Sequence, residues 1–202
     1  MMTAPNEKKA FRREMLAKRK AYPADRIEKS SAAIAERLFG TDEFGAAETI
    51  LCFVSTEIEV GTRPIIERAR KDGKRVAVPK CVKGAPLLTF HYIESADELA
   101  EGAFGIPEPL PECEQCSDFG GALCIVPALC CDLRGHRMGY GRGYYDRFLA
   151  GFAGVSCGVV FEDFMLPEIP TEPTDIPLDI IITDTDIYRH SNSFGMKGKT
   201  NG

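Results

Sequence analysis

The sequence lacks any apolar run of about 18 or more residues, the length that a membrane-spanning helix requires. Its first residues, Met-Met-Thr-Ala-Pro-Asn-Glu-Lys-Lys, also lack the apolar stretch of a secretory signal peptide. We therefore expect a cytoplasmic protein with no membrane partner. The length of 202 residues fits one domain, and a hydrophobic content of 44% is sufficient for a sizeable core.

Histidine is scarce, and the usual metal-binding patterns of histidine and cysteine are missing. The three histidines, His91, His136 and His190, have no spacing typical of ligands. Cys113-Glu-Gln-Cys116 has the spacing of half a zinc site, but no second pair follows, so zinc is not expected. In a chain without a signal peptide, the eight cysteines are expected to be reduced thiols.

The chain as a whole has no excess of positive charge. Its formal net charge is −5, which excludes a general nucleic-acid binder. Residues 7–20 are the exception, with seven basic and two acidic groups. A helix predicted over 6–21 puts Lys8, Arg12 and Arg19 on one face. This basic face suggests an anionic small ligand, and its plain interpretation is a solvated helix surface.

Alternating strands and helices define the predicted fold. A continuous β-prone run at 49–54, a helix at 62–71 and a strand at 75–78 form a βαβ unit. Further helices are predicted at 25–38, 96–101 and 144–149, further strands at 87–93, 123–126, 156–161 and 178–183, and a surface loop at 105–120. We therefore expect a single-domain, three-layer α/β/α fold over residues 1–187, with a mostly parallel, Rossmann-like sheet and a disordered tail at 188–202.

The stretch from Asp132 to Phe148 carries the strongest chemical signal. It reads Asp-Leu-Arg-Gly-His-Arg-Met-Gly-Tyr-Gly-Arg-Gly-Tyr-Tyr-Asp-Arg-Phe. Alternate glycines let the backbone turn tightly and direct several N–H groups at one anion. Arginines suit phosphate oxygens, and a carboxylate can hold Mg²⁺ beside them. The stretch predicts a nucleotide-phosphate site, with a glycine-rich turn into an amphipathic helix as the plain alternative.

This run resembles the signature of one enzyme family. It contains no Gly-Lys-Ser or Gly-Lys-Thr, and its glycine spacing differs from the dinucleotide fingerprint. Together with the preceding Val-Pro-Ala-Leu-Cys-Cys, it resembles the 5-formyltetrahydrofolate cyclo-ligases, also called 5,10-methenyltetrahydrofolate synthetases. The resemblance spans roughly residues 8–184, and includes the first helix, the loop around Glu59, Gly73 to Pro79 and Pro173 to Thr183.

The resemblance implies a ligase that couples ATP hydrolysis, with Mg²⁺, to closing 5-formyltetrahydrofolate into 5,10-methenyltetrahydrofolate. By position it assigns the nucleotide to Lys8, Arg12, Arg137, Gly139, Tyr140, Gly141, Arg142, Gly143, Tyr144 and Tyr145. It assigns the folate to Val54, Glu59, Tyr140 and Tyr144, the metal to Asp146 and Asp175, and direct roles in catalysis to Arg142 and Tyr145.

Each assignment has a plain structural alternative. Lys8 and Arg12 can be solvated helix charges, and Glu59 can cap the helix that follows it. One tyrosine of the adjacent pair at 144–145 can belong to the core. Asp175 can be a turn residue.

The whole chain also has two competing interpretations. One is a non-catalytic nucleotide- or folate-binding module that has kept the fold. The other is an ATP-using relative that acts on a different formamide or amide. The complete set of Lys8, Arg12, Glu59, Arg142 and Asp146 favours the ligase, because a retired site is expected to lose members. We expect it to act as a monomer on its small-molecule substrate.

Overall fold

The computed structural model describes residues 4–190, which fold around an eight-stranded sheet. The α-helices are α1 (Ala4–Lys20), α2 (Ala24–Phe39), α3 (Asp42–Ala46), α4 (Arg63–Lys71) and α5 (Tyr144–Leu149). The strands are β1 (Thr49–Cys52), β2 (Arg75–Cys81), β3 (Leu88–Tyr92), β4 (Leu99–Glu101), β5 (Pro107–Pro109), β6 (Gln115–Cys116), β7 (Leu123–Pro127), β8 (Cys130–Asp132), β9 (Arg137–Met138), β10 (Val155–Val159), β11 (Met165–Leu166), β12 (Ile180–Ile182) and β13 (Ile187–Arg189). Within residues 4–190, no helix is both long and apolar enough to cross a membrane.

The central sheet is parallel in its middle and antiparallel at its edges. Its order is β13-β12-β10-β7-β1-β2-β3-β6, and the five strands from β12 to β2 run parallel. The chain moves outward from β1 to β2 on one side and from β7 to β10 on the other, so β1 and β7 flank the topological switch point. α4 packs against β1 and β2, and α5 packs against β3. The predicted α/β class with a mostly parallel sheet is confirmed.

The core lies on both faces of this sheet. The middle strands are runs of buried apolar residues, as parallel strands covered on both sides require. On one side α2 contributes Ile34 and Leu38. At the other end α5 packs Phe148 against Phe90 of β3, with ring centroids 4.7 Å apart. Each fully buried side chain, such as Ile34, Leu38 or Phe90, contributes about 1.5–3 kcal/mol to stability.

Two predictions in the middle of the chain are wrong. The predicted helix at 96–101 is a single 3₁₀ turn followed by β4, and the predicted loop at 105–120 contains β5 and β6. β4 and β5 pair with each other as a small hairpin, and β6 joins the edge of the central sheet beside β3. Such pairing depends on distant partners, and so no local hydrophobic period indicates it.

The predicted tail also begins too early. β13 forms an antiparallel hairpin with β12, in which Tyr188 pairs with Ile181 and Arg189 with Ile180. The Arg189 side chain forms an ion pair with Glu43 at the start of α3, with Nε and Oε1 3.1 Å apart. A boundary at residue 188 is therefore wrong, and the rest of the predicted tail, 191–202, lies outside the described residues.

Candidate active site

A pocket of about 840 Å³ opens at the carboxyl ends of β1, β2 and β7. Val54, Cys81 and Pro127, which follow or end these strands, lie in its wall. This is the crevice beside the switch point, where open α/β sheets bind their ligands. Every residue that the sequence assigned to a site lines this one pocket, including Gly139, Gly141 and Gly143.

The glycine-rich loop at 139–143 forms one side of the pocket and leads directly into α5. Gly141 has φ of +92° and Gly143 has φ of +67°, conformations in which other residues are strained. A Cβ at Gly141 would lie 3.0 Å from Nη1 of Arg12. Arg12 also donates from Nε to the carbonyl oxygen of Gly139, at 3.0 Å. The glycines therefore let the loop close around the guanidinium that α1 presents.

Four cations line this side, and two of them are buried. Lys8 and Arg137 are each only 6% exposed, so the solvated-surface alternative is wrong for Lys8. Arg12 is half-buried against the loop. Arg142 is exposed, with its guanidinium carbon 4.8 Å from the ring centroid of Phe104. Because Nε of Arg137 has no hydrogen-bond partner among residues 4–190, a buried donor is left for an acceptor.

The two aspartates predicted to bind metal lie beside one another. Asp146 accepts hydrogen bonds from Nη2 of Arg137 at 3.1 Å and from the backbone N–H of Ile176 at 3.3 Å. Asp175 immediately precedes Ile176, and both of its carboxylate oxygens lie 2.6 Å from Nζ of Lys8. Asp175 also accepts from the backbone N–H of Glu172 at 2.8 Å, so the turn alternative is correct as well.

This donor set fits Mg²⁺ and does not fit a fully protein-ligated metal. In residues 4–190, no group of three or more histidine, cysteine, aspartate or glutamate side chains is arranged to hold a metal ion. Mg²⁺ prefers oxygen ligands and commonly takes only one or two carboxylates, completing its shell with phosphate oxygens and water. Asp146 and Asp175 supply two such carboxylates beside the cationic loop.

Glu59 also lines the pocket and is buried. Its Oε2 accepts from the backbone N–H and the hydroxyl of Thr56, at 2.7 and 2.8 Å. Thr62, not Glu59, is the N-cap residue of α4, so the helix-cap alternative is wrong. Tyr140 stands near Glu59 and remains 44% exposed. Desolvation, and then the Glu59 carboxylate, raise the pKa of the Tyr140 hydroxyl.

The two tyrosines that open α5 have different environments. Burial raises the pKa of Tyr145 well above its ordinary value, so its hydroxyl stays protonated and can donate a hydrogen bond. That hydroxyl is buried and has no hydrogen-bond partner among residues 4–190. Tyr144 is less enclosed and faces the pocket near Cys81. The alternative that one tyrosine of this pair belongs to the core is therefore correct in part for Tyr145. Its ring packs against the core, while the residue also lines the pocket.

Several lining residues were not anticipated from the sequence. Phe104 is 62% exposed at the mouth of the pocket and has a left-handed backbone with φ of +61°, which is strained for a bulky residue. Glu108, Arg147 and Glu172 also line the pocket. Only Glu172 had a usable sequence signal, because it lies three residues before a suspected metal ligand.

The charges around the pocket balance. Five cations (Lys8, Arg12, Arg137, Arg142 and Arg147) and five carboxylates (Glu59, Glu108, Asp146, Glu172 and Asp175) line it. Three ion pairs already join opposite charges in its wall: Lys8 with Asp175, Lys8 with Glu172, and Arg137 with Asp146. The pocket is therefore formally neutral, in contrast to the acidic chain as a whole.

Fold and pocket together define a class: a three-layer α/β enzyme whose site lies at the topological switch point of a mostly parallel sheet. Within this class, the sequence model of the 5-formyltetrahydrofolate cyclo-ligase family matches residues 4–184. The chain belongs to the 5-formyltetrahydrofolate cyclo-ligase family, and the prediction of a ligase is confirmed.

Individual proteins agree with this membership. The chain is 30% identical over 186 residues to the 5-formyltetrahydrofolate cyclo-ligase of Mycolicibacterium smegmatis, covering 89% of this chain and 95% of the relative. It is 27% identical over 180 residues to the probable 5-formyltetrahydrofolate cyclo-ligase of Schizosaccharomyces pombe, covering 81% and 88%. The NMR structure of Aquifex aeolicus 5,10-methenyltetrahydrofolate synthetase superimposes with a TM-score of 0.79, at 26% identity, and 96% of each chain is covered.

Proposed function

We propose that the protein closes 5-formyltetrahydrofolate into 5,10-methenyltetrahydrofolate with hydrolysis of ATP to ADP and phosphate, in the presence of Mg²⁺. One observation carries the proposal: one pocket joins a cationic glycine loop, beside buried donors that have no hydrogen-bond partner among residues 4–190, to the buried carboxylate of Glu59. The loop suits the triphosphate of a nucleotide, and the Glu59 carboxylate suits a ring system with N–H groups.

The reaction needs two bond exchanges. The formyl oxygen attacks the γ-phosphorus of ATP, the bond to the bridging oxygen breaks, and ADP leaves. The resulting imidate phosphate carries a good leaving group on its carbon. The folate nitrogen at position 10 then attacks that carbon, loses its proton, and inorganic phosphate leaves with the former formyl oxygen. The protein has to align two substrates and stabilise charge, and it does not need to supply a nucleophile.

The loop side would bind the nucleotide and its transferred phosphoryl group. Lys8, Arg12 and Arg142 would contact phosphate oxygens, together with backbone N–H groups of residues 139–143. Nε of Arg137 and the hydroxyl of Tyr145 are buried donors there that have no hydrogen-bond partner among residues 4–190. Donors of this kind are suited to charge that develops on oxygen during transfer, because they are already oriented and desolvated.

Asp146 and Asp175 would hold Mg²⁺ against the phosphates. When bound, the ion offsets negative charge between the transferred phosphoryl group and the departing ADP. Arg137 would orient Asp146 through the ion pair seen here, and the backbone N–H of Ile176 would fix the same carboxylate from the other side. The same stretch of backbone therefore carries one aspartate and holds the other, because Ile176, which donates to Asp146, directly follows Asp175.

The part of the pocket around Glu59 would bind the folate. The Glu59 carboxylate is held by Thr56 through Oε2 and would accept a hydrogen bond from an N–H of the pterin ring. Val54, Tyr140 and Tyr144 would contact the ring system and set its distance from the loop. The exposed ring of Phe104 stands at the mouth, where it would limit the access of water.

Absorbance spectroscopy tests the proposal directly. The protein is mixed with 5-formyltetrahydrofolate, ATP and Mg²⁺, and the methenyl-folate band and ADP are measured together. We expect the band and ADP to appear in equal amounts, and neither to appear when ATP is omitted. ATP binding without either product would indicate a non-catalytic module. ADP formed only with another formamide or amide would indicate a different substrate.

A further inference from the structure

Lys8 is held by two carboxylates at once. Its Nζ lies 2.6 Å from both oxygens of Asp175 and 2.9 Å from Oε2 of Glu172. Lys8 is only 6% exposed, so its charge is shielded from water and depends on these partners. The Asp175 side chain is nearly enclosed, at 11% exposure, whereas that of Glu172 is 39% exposed.

The proposed function requires this arrangement to change. Asp175 would bind the metal and Lys8 would bind phosphate, yet in this structure each is engaged by the other. A buried ammonium that is left without an anionic partner is strongly destabilised. If Asp175 turns to a cation, Glu172 is the acid that remains in place beside Lys8.

The local backbone keeps Glu172 there during such a change. The backbone N–H of Glu172 donates to Oδ2 of Asp175 at 2.8 Å, and the backbone N–H of Asp175 donates to the carbonyl oxygen of Glu172 at 2.9 Å. The two acids thus belong to one tight turn and reach the same ammonium from it. A rotation of the Asp175 side chain leaves the second of these hydrogen bonds intact, because it joins two backbone groups.

We infer that Glu172 is a positioning residue that makes nucleotide binding depend on Mg²⁺, an inference that rests on the proposed function. Without the cation, Asp146, Glu172 and Asp175 present negative charge to the triphosphate and disfavour free ATP. With the cation, Asp175 leaves Lys8 for the metal while Glu172 retains Lys8 beside the phosphates. The acid therefore disfavours the free nucleotide and favours its magnesium complex.

Calorimetric titration of ATP tests the inference without turnover, because folate is absent. Wild type and Glu172→Gln are titrated in excess Mg²⁺ and in EDTA. The quantity compared is the Kd for ATP in EDTA divided by the Kd for ATP in Mg²⁺. We expect the ratio to fall about tenfold or more in Glu172→Gln, within the usual range of coupling between two ligands. Free ATP should bind more tightly to the variant, and the magnesium complex less tightly.

Glu114→Gln is the matched control. Glu114 also pairs with a cation, Nη2 of Arg75 at 2.9 Å, but it is exposed and lies outside the pocket. Its Kd ratio should equal that of the wild type. Glu172→Asp keeps the charge on a shorter side chain, and its Kd ratio should lie between those of wild type and Glu172→Gln. It provides a second variant if the first folds poorly.

The two hypotheses fail in different ways. Wild-type protein that binds ATP, with a ratio unchanged in both Glu172 variants, would overturn the role of Glu172 and leave the proposed function standing. Wild-type protein that binds no ATP in either buffer would overturn the proposed function and this inference together. A ratio that falls equally in Glu114→Gln would show a general charge effect and would also overturn the role of Glu172.

Discussion

At the scale of single residues, the site depends on acids whose surroundings are already fixed. Glu59 and Asp146 each accept two hydrogen bonds from the protein, so neither carboxylate has to be ordered when a ligand arrives. Such preorganisation lowers the cost of binding. It also allows a test of charge apart from geometry, because the amide counterparts can accept the same hydrogen bonds.

Glu59→Gln tests the folate wall. The new amide oxygen can still accept from the backbone N–H and hydroxyl of Thr56, so the loop should keep its shape. The lost charge removes a charge-assisted hydrogen bond to the ligand, worth about 1.5–3 kcal/mol. We expect the KM for 5-formyltetrahydrofolate to rise about tenfold or more in steady-state assays. The KM for ATP should stay near that of wild type, and equal losses for both substrates would make Glu59 structural.

Asp146→Asn tests the metal wall. The asparagine oxygen can keep the contacts to Arg137 and Ile176, so the melting temperature should move by no more than a few degrees. Turnover should fall on the order of 100-fold, which corresponds to about 2.7 kcal/mol of barrier. Higher Mg²⁺ concentration should restore part of the rate, as followed by methenyl-folate absorbance.

Asp163→Asn is the control for this change. Asp163 is also paired with an arginine, Arg26 at 2.8 Å, but on the surface and away from the pocket. Its turnover should match that of wild type. If Asp146→Asn instead melts much earlier and turns over normally, Asp146 serves only the fold.

At the scale of elements, the loop at 139–143 is shaped by α1 as much as by its own sequence. Gly141 combines a positive φ with the close approach of Arg12, so two separate demands fall on one position. A side chain there has to satisfy the left-handed backbone and also displace a guanidinium. The loop and the first helix therefore form one unit, although more than a hundred residues separate them along the chain.

Gly141→Ala separates these two demands. The left-handed backbone alone should cost about 1–2 kcal/mol of unfolding free energy. Gly84→Ala is a matched control, because Gly84 has φ of +81° and no neighbouring atom within 4 Å of a built Cβ. Denaturant unfolding should show similar losses for both variants. Only Gly141→Ala should raise the KM for ATP, since only there does the methyl group push against Arg12. An equal KM in both variants would show that α1 does not contribute to nucleotide binding.

The sequence predicts elements well where a local period or a family motif determines them. Helices α1 and α2, the βαβ unit and the start of α5 at Tyr144 were all predicted within a few residues. The hairpin of β4 and β5 and the hairpin that ends in β13 were missed, because strands of three residues have no usable period. Phe104, which lies between β4 and β5, was missed for the same reason.

The same limit applies to the site. The glycine motif and α1 indicated which residues gather, and all of them do line one pocket. The sequence did not indicate that the basic and acidic members pair with each other across it, as Lys8 does with Asp175. Lys8 and Asp175 are 167 positions apart along the chain, and only the folded sheet brings them together. What each residue does with a ligand stays a prediction.

At the scale of the whole molecule, the site is assembled from nearly the full described chain. Lys8 comes from the first helix and Asp175 from the segment before the last parallel strand, with Glu59 and the glycine loop between them. The central sheet holds these parts in register, so no short fragment can carry the pocket. A reporter on the pocket wall should therefore respond to both folding and ligand binding.

The cysteines provide such a reporter. All eight are free; six are buried, while Cys81 and Cys113 are half-buried. Cys81 lines the pocket and Cys113 does not. Burial, and then the carboxylate of Glu108, raise the pKa of the Cys81 thiol, so its labelling should be slow at neutral pH and accelerate as pH rises.

Thiol labelling with a chromogenic disulfide therefore gives a prediction for the whole fold. Denatured protein without reductant should react at all eight cysteines, and native protein should react rapidly at no more than Cys81 and Cys113. Saturating 5-formyltetrahydrofolate should slow the labelling of Cys81 and leave that of Cys113 unchanged, because only the first lies in the pocket wall. A Cys81→Ser variant identifies the protected phase. Four or fewer reactive groups in denatured protein would contradict the free thiols, and equal protection of both cysteines would mean that the ligand acts through general stabilisation, not by occupying this pocket.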